Sequence, residues 1–350
     1  MLCSSMRRHN YYLLTLVVLA FVVITGASAQ SLNTPYIKEV YEYVPAPGQF
    51  INTMPEWEEG DDAAAMARKC QEILADDGMI CLGGFGGYVT FGFDHPVVNV
   101  PGAYDLFIKG NAFAATDKTD CGSSEPGIVM VSRDDNGNGL PDDKWYELSG
   151  SADTDSIGKV VYNYQITYTF IGDKKPVTWT DNHGGKGVMP RNAYHSQEYF
   201  PAWLTDQRSL SFTGTLLPNN IYVDNGNFLM RFLRYGYVDN KPNIVDGNIN
   251  QACCFNIDWA VDADRQPVKL SHVDFVRVYC AMNQINGLLG ETSTEFAGAE
   301  DLHPSAVPTG ITDLWQSDNR HRRAYYDLTG RKVSENASGV IISNGRLLVR

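Results

Sequence analysis

Between Asp134 and Asp143 the chain reads Asp-Asp-Asn-Gly-Asn-Gly-Leu-Pro-Asp-Asp. Side-chain oxygens stand at the first, third and fifth positions (Asp134, Asn136 and Asn138), followed by Gly139 at the sixth. That is the donor spacing that opens a calcium-binding loop. A hard cation takes about six to eight oxygens, and alternate residues of a tight loop point inward to supply them. Gly139 allows the bend, and the Leu140 carbonyl is the expected seventh-position ligand. The bidentate Glu usual at position twelve is replaced by Trp145, so Asp142, Asp143 or Glu147 must complete the shell. The competing reading is a turn rich in Asn, Asp and Gly that bonds only to its own backbone. Alternating donors, and the repulsion that Asp142-Asp143 would add to an uncompensated loop, favour Ca2+ in a structural role.

A second constellation lies between Val177 and Leu204, where Trp179, Tyr194, Tyr199, Phe200 and Trp203 accompany His183, His195 and many Gly and Asn residues. Flat rings beside amides and hydroxyls suit a sugar or another planar ligand. Trp179, His183, Tyr194, His195, Tyr199 and Trp203 are therefore the candidate ligand-binding residues. The alternative for each ring is a place in the core.

Other signals point away from catalysis. Leu82-Gly-Gly-Phe-Gly-Gly87 lacks the G-K-[ST] ending of a phosphate loop and precedes a strand, so close backbone packing is expected there. His183 and His195 come without HExxH or CxxC partners, and no G-x-S-x-G elbow occurs. Asp258, Asp262, Asp264, Glu291 and Glu295 include acids that could form a glycosidase pair, but sequence gives no separation between them. No catalytic residue is assigned.

The elements that must position these groups read as strands. Short apolar runs punctuated by Gly, Asn and Asp cover Tyr88–Phe93, Asp105–Ile108, Gly127–Val131, Val160–Phe170, Ser209–Phe212, Phe228–Leu233 and Val273–Tyr279. This texture predicts an all-β protein, a two-sheet jelly-roll-like sandwich. One short helix near the N-terminus is expected over Asp61–Leu74, with Gly78 just beyond it. Pro304–Gly310 reads as a linker. Residues 311–350 form a small β module of their own, in which Asn344-Gly345 between apolar runs signals a hairpin.

The ends and the charge set the setting. Arg7 and Arg8, the apolar run Tyr11–Ile24 and Ala27-Ser28-Ala29 make residues 1–29 a cleavable export signal, leaving residues 30–303 as the main domain. No later segment is long and apolar enough to span a membrane as a helix. The full chain has 28 Lys+Arg against 41 Asp+Glu. Losing the two leader arginines leaves 26 against 41, a net −15, which argues against a nucleic-acid partner. Six cysteines remain after Cys3 departs, and they allow fifteen pairings with nothing in the sequence to choose among them.

Several of these segments, taken together, resemble a bacterial family described only as cell surface proteins. They are Leu82–Gly87, Phe93-Asp-His-Pro96, Gly110-Asn-Ala-Phe113, Glu125–Val129, Asp134–Asp143 with Trp145-Tyr-Glu-Leu148, Gly236-Tyr-Val-Asp-Asn240 and Phe255–Asp262. The resemblance spans residues 36–303, with Val238 where the family has Ala. It implies a surface ligand-binding protein of outer-membrane nutrient capture, some members resembling cobamide (vitamin B12) uptake loci. Tyr326-Asp-Leu-Thr-Gly-Arg331 and the following hairpin resemble the C-terminal modules of Bacteroidetes secreted proteins, related to the type IX secretion sorting domain; Ile341 replaces the usual Tyr.

The expectation is thus an exported, cell-surface or secreted protein, calcium-stabilised, that captures a cobamide or glycan for outer-membrane uptake alongside a transport partner. A carbohydrate-active enzyme of jelly-roll fold and a structural or adhesive surface protein are the alternatives.

Overall fold

Strand-forming runs assemble where the sequence places them. The computed structural model describes residues 33–287 and 289–307, and the backbone of four strands in the tail. The leader, residues 1–29, lies outside the described residues. The largest sheet is fully antiparallel and has six strands, in the order Glu39–Val44, Tyr88–Val98, His272–Cys280, Gly127–Ser132, Trp145–Leu148 and Ala260–Val261. Its middle members are apolar because both faces are covered: five of the six residues of Gly127–Ser132 are buried. Val89, Phe91, Val129, Val276 and Val278 pack with Tyr43 and with Met66 and Cys70 of Ala63–Ala75, the one α-helix among the described residues.

That helix starts one residue after Asp62, whose carboxylate accepts the Ala65 N–H at 2.8 Å, an ordinary N-cap. The chain leaves the helix through Asp77, which takes the left-handed conformation (φ 56°) one residue before Gly78. Aspartate tolerates that conformation better than most residues.

A second antiparallel sheet runs in the order Lys186–Met189, Val177–Asp181, Val161–Thr169 and Ser209–Leu216. It carries its own core of Tyr164, Ile166, Tyr168, Leu210 and Phe212, joined by Phe85, Tyr199 and Phe200. The glycine-rich segment Leu82–Gly87 connects the two cores. Phe85 stands edge-on to Tyr164 at 4.9 Å on one side and to Tyr279 at 6.4 Å on the other. Gly83 has φ +71°, and a Cβ there would lie 2.0 Å from the Ala46 carbonyl oxygen. The segment is a crossing point where backbones touch, as the close-packing reading anticipates.

The remaining strands divide into smaller sheets. Four strands pair as Ile221–Asp224, Asn227–Arg231, Cys121–Ser123 and Phe113–Ala114, and three as Cys254–Phe255, Leu106–Ile108 and Ala299–Asp301. Two-stranded pairs complete the set. The all-β expectation holds, but its finer part does not describe this division. The strands form one six-stranded sheet and several small ones rather than two packed sheets. Many of the pairings are only two or three residues long, so the chain turns away before a broad second layer can form.

In the tail, Val340–Ser343 pairs with Arg346–Val349 with Ser343 opposite Arg346, which is the register a two-residue Asn-Gly loop requires. Tyr325–Asp327 and Lys332–Val333 extend this sheet. All six cysteines of the described residues are buried free thiols: Cys70, Cys81, Cys121, Cys253, Cys254 and Cys280. No helix of the described residues is long and apolar enough to cross a membrane.

Candidate functional site

The 134–143 segment caps a hairpin. Ser132 pairs with Trp145 and Met130 with Glu147, so the loop projects from two strands of the largest sheet. Asp134 organises it: Oδ1 accepts the N–H groups of Gly137 (2.7 Å) and Asn138 (3.1 Å), and Oδ2 accepts that of Gly139 (2.9 Å). Asn136 Oδ1 accepts from the Asn138 N–H and Asn138 Oδ1 from the Leu140 N–H. The amide nitrogens of both asparagines then reach the two carboxylate oxygens of Asp142, at 2.9 and 3.0 Å. Gly137 and Gly139 both have φ above +70°, with open space where a Cβ would be. The glycines therefore serve the backbone conformation.

Asp134, Asn136, Asn138 and Asp142 are thus brought together at the tip. The Leu140 carbonyl accepts the Asp142 N–H, and its side chain is exposed. Two predicted ligands have other partners. Asp143 accepts the Asp135 N–H at 3.1 Å. Glu147 points into another cluster, its Oε1 ion-paired with Arg265 at 2.5 Å and its Oε2 accepting from Thr215 Oγ1 at 2.7 Å. Alternation along the strand carries the Glu147 side chain away from the loop. Four convergent side chains and one carbonyl fall short of a full calcium shell, and water would supply the rest. The same oxygens satisfy backbone N–H groups, so the geometry also serves the self-bonded turn.

The aromatic candidates separate. Tyr199 is fully buried, its hydroxyl accepting the Asn192 N–H at 2.8 Å. Trp203 stacks on Tyr43 at 5.9 Å against the main core. Tyr199 is core, the alternative the sequence left open, and Trp203 is half-buried against the main core. Tyr194 is 81% exposed. His195 meets the edge of Phe50, and His183 lies parallel to Tyr164 at 5.9 Å.

Trp179 has a different setting. It lies opposite Gly187 across two strands, and a Cβ on Gly187 would come 2.4 Å from the indole, so the glycine lets the ring lie flat across the sheet. The ring is half-buried and lines a cavity of about 300 Å³. Tyr168 and Met189 line it from the same sheet, and Asn283, Glu291 and Thr292 from the segment after Cys280. Glu291 is 4% exposed; its Oε1 accepts the Gln49 N–H at 2.6 Å, while Oε2 has no hydrogen-bond partner. Burial pushes its carboxyl up to about 8, against the lowering effect of the Gln49 N–H.

A further acidic group, Glu125, Asp239 and Glu295, gathers with carboxylate oxygens within 4.8 Å of one another. Asp239 and Glu295 are buried and Glu125 is half-buried. Asp239 accepts the N–H groups of Asn111 (2.5 Å) and Glu295 (2.9 Å). Burial raises all three carboxyls; the charge of Glu295 adds to the rise at Glu125 and Asp239, while hydrogen bonds work against it at Glu295. Sequence reading assigned Glu125 and Asp239 no chemistry, because they sit 114 positions apart and come together only through the Gly127–Val238 bridge. Asp239 also holds a left-handed backbone (φ 54°) that no sequence signal reveals.

No protein-family model matches this chain, and no curated protein matches it significantly.

Proposed function

We propose that the chain is an exported, surface-associated ligand-binding protein that captures a nutrient, a cobamide or a glycan, for outer-membrane uptake, with Ca2+ stabilising the 134–143 loop. The ligand-binding reading is carried by one observation: the cavity walled by Trp179 is lined by Glu291 and Thr292, each of which carries a buried side-chain oxygen without a hydrogen-bond partner. Native interiors satisfy nearly all such groups, and the exceptions call for an explanation. For calcium, the support is the convergence of Asp134, Asn136, Asn138 and Asp142. Export rests on the leader, and surface capture on the motif resemblance.

The carbohydrate-active alternative needs a pair of acids, and Glu291 is the only carboxylate lining this cavity. Titration calorimetry of the purified protein with cyanocobalamin and a panel of soluble glycans tests the reading. Saturable heat with one of them is expected. Silence across the whole set would refute it.

A further inference from the structure

We propose that the cavity between Trp179 and the Asn283–Thr292 segment binds a single neutral, polyhydroxylated ring, a monosaccharide unit, with the indole as stacking wall and Glu291 and Thr292 as buried hydrogen-bonding partners. This deepens the ligand-binding reading above and rests on it.

Size narrows the ligand first. About 300 Å³ is at the low end for small-molecule sites, room for one sugar ring but not for a corrin macrocycle with its nucleotide loop. A cobamide would need one of the larger hollows of about 590 and 620 Å³ elsewhere on the molecule.

Charge narrows it next. No Lys, Arg or His lines the cavity, so an anion has no counter-charge there. Its one acid is buried and held up to about 8, so near neutral pH it is a carboxylic acid that offers an O–H donor rather than a negative charge. A cationic ligand therefore gains little, and a neutral ligand rich in acceptors and donors gains most.

Hydrogen-bonding capacity is concentrated at the same place. Of the nine buried side-chain atoms without a partner among the described residues, four belong to Asn286, Glu291 and Thr292. Glu291 Oε2 and Thr292 Oγ1 are on residues that line the cavity. Trp179 and Met189 line the same cavity and supply apolar surface. Apolar ring surface and hydrogen-bonding side chains in one small cavity are what a pyranose needs, since its C–H face packs on a ring while its hydroxyls bond at the edge.

The test is calorimetry of the full chain against methyl glycosides of glucose, galactose, mannose, xylose and N-acetylglucosamine, with cyanocobalamin as a separate arm. At least one glycoside is expected to bind saturably with 1:1 stoichiometry. Trp179→Leu and Thr292→Val should each weaken it about tenfold or more, with Glu291→Gln as a third variant that keeps the side chain's shape; melting temperatures check that each is folded. If glycosides bind equally well to the folded variants, or only cyanocobalamin binds, the cavity assignment is overturned and the ligand-binding reading stands. If neither arm binds, both fall.

Discussion

Asp134→Ala separates a metal site from a self-bonded turn. The carboxylate accepts three backbone N–H groups, from Gly137, Asn138 and Gly139. In a solvent-facing loop such bonds sit at the low end of about 0.5–1.5 kcal/mol each, so their loss costs about 1.5 kcal/mol with or without an ion. Calcium adds a second quantity. With a dissociation constant of roughly 0.5 mM, in the range of extracellular modules, about 5 mM calcium stabilises the folded state by roughly 1.4 kcal/mol. At roughly 2–4 °C per kcal/mol for a domain of this size, wild type should melt about 3–6 °C higher in calcium than in a chelator. Asp134→Ala should start about 3–6 °C lower and gain less than about 1 °C from calcium.

Differential scanning fluorimetry at matched ionic strength reads both quantities. A wild type indifferent to calcium refutes the metal assignment and leaves only the turn. A calcium gain that survives Asp134→Ala but disappears in Glu295→Gln would move the ion to the buried Glu125–Asp239–Glu295 group.

Two further outcomes follow from packing and charge. Because Glu125, Asp239 and Glu295 have raised carboxyl pKa values when folded, the folded chain keeps protons that the unfolded chain gives up above ordinary carboxylate values. Stability should therefore fall as pH rises above the ordinary carboxylate range, and Glu295→Gln should flatten the fall in urea midpoints; an unchanged slope would show that these acids do not govern it. Tyr199→Ala, at a fully buried ring, should cost about 3–5 kcal/mol by urea denaturation. Tyr194→Ala, at a ring 81% exposed, should stay within about 0.5 kcal/mol, and similar losses at both positions would undo the core assignment of Tyr199.

How much was legible in the sequence differs by scale. Strands were readable because burial on both faces demands uninterrupted apolar runs, as in Gly127–Ser132, and because alternation marks the rest. The helix showed through its acidic start at Asp61-Asp62 and the Gly78 beyond its end, and the tail hairpin through Asn344-Gly345. Sheet partnership was not readable, since it depends on which edges meet after long excursions: His272–Cys280 lies between Tyr88–Val98 and Gly127–Ser132. The same limit governs the sites. The 134–143 donors are local, so their spacing revealed them. Trp179 and Glu291 were each noticed singly, but their meeting at one cavity depends on contacts across more than a hundred residues. Trp203 stands near Trp179 in sequence but packs against the main core, whereas Tyr199 sits inside the second sheet's core, which Trp179 only borders.

The sealed thiols set an order of events for the young chain. Oxidation begins with thiolate attack, and burial holds the Cys253 thiol up at about 12 and those of Cys254 and Cys280 at about 11, so the finished molecule is slow to react. Before closure the chain has no such shelter, and a premature crosslink such as Cys70 to Cys253 would trap residues that belong in separate parts of the interior. Cys280 becomes protected only when its strand slots between two others that precede it by more than a hundred residues. If the chain is exported as proposed, collapse must therefore outrun oxidant, and the speed of sheet assembly becomes the safeguard that bridging bonds provide in exported proteins.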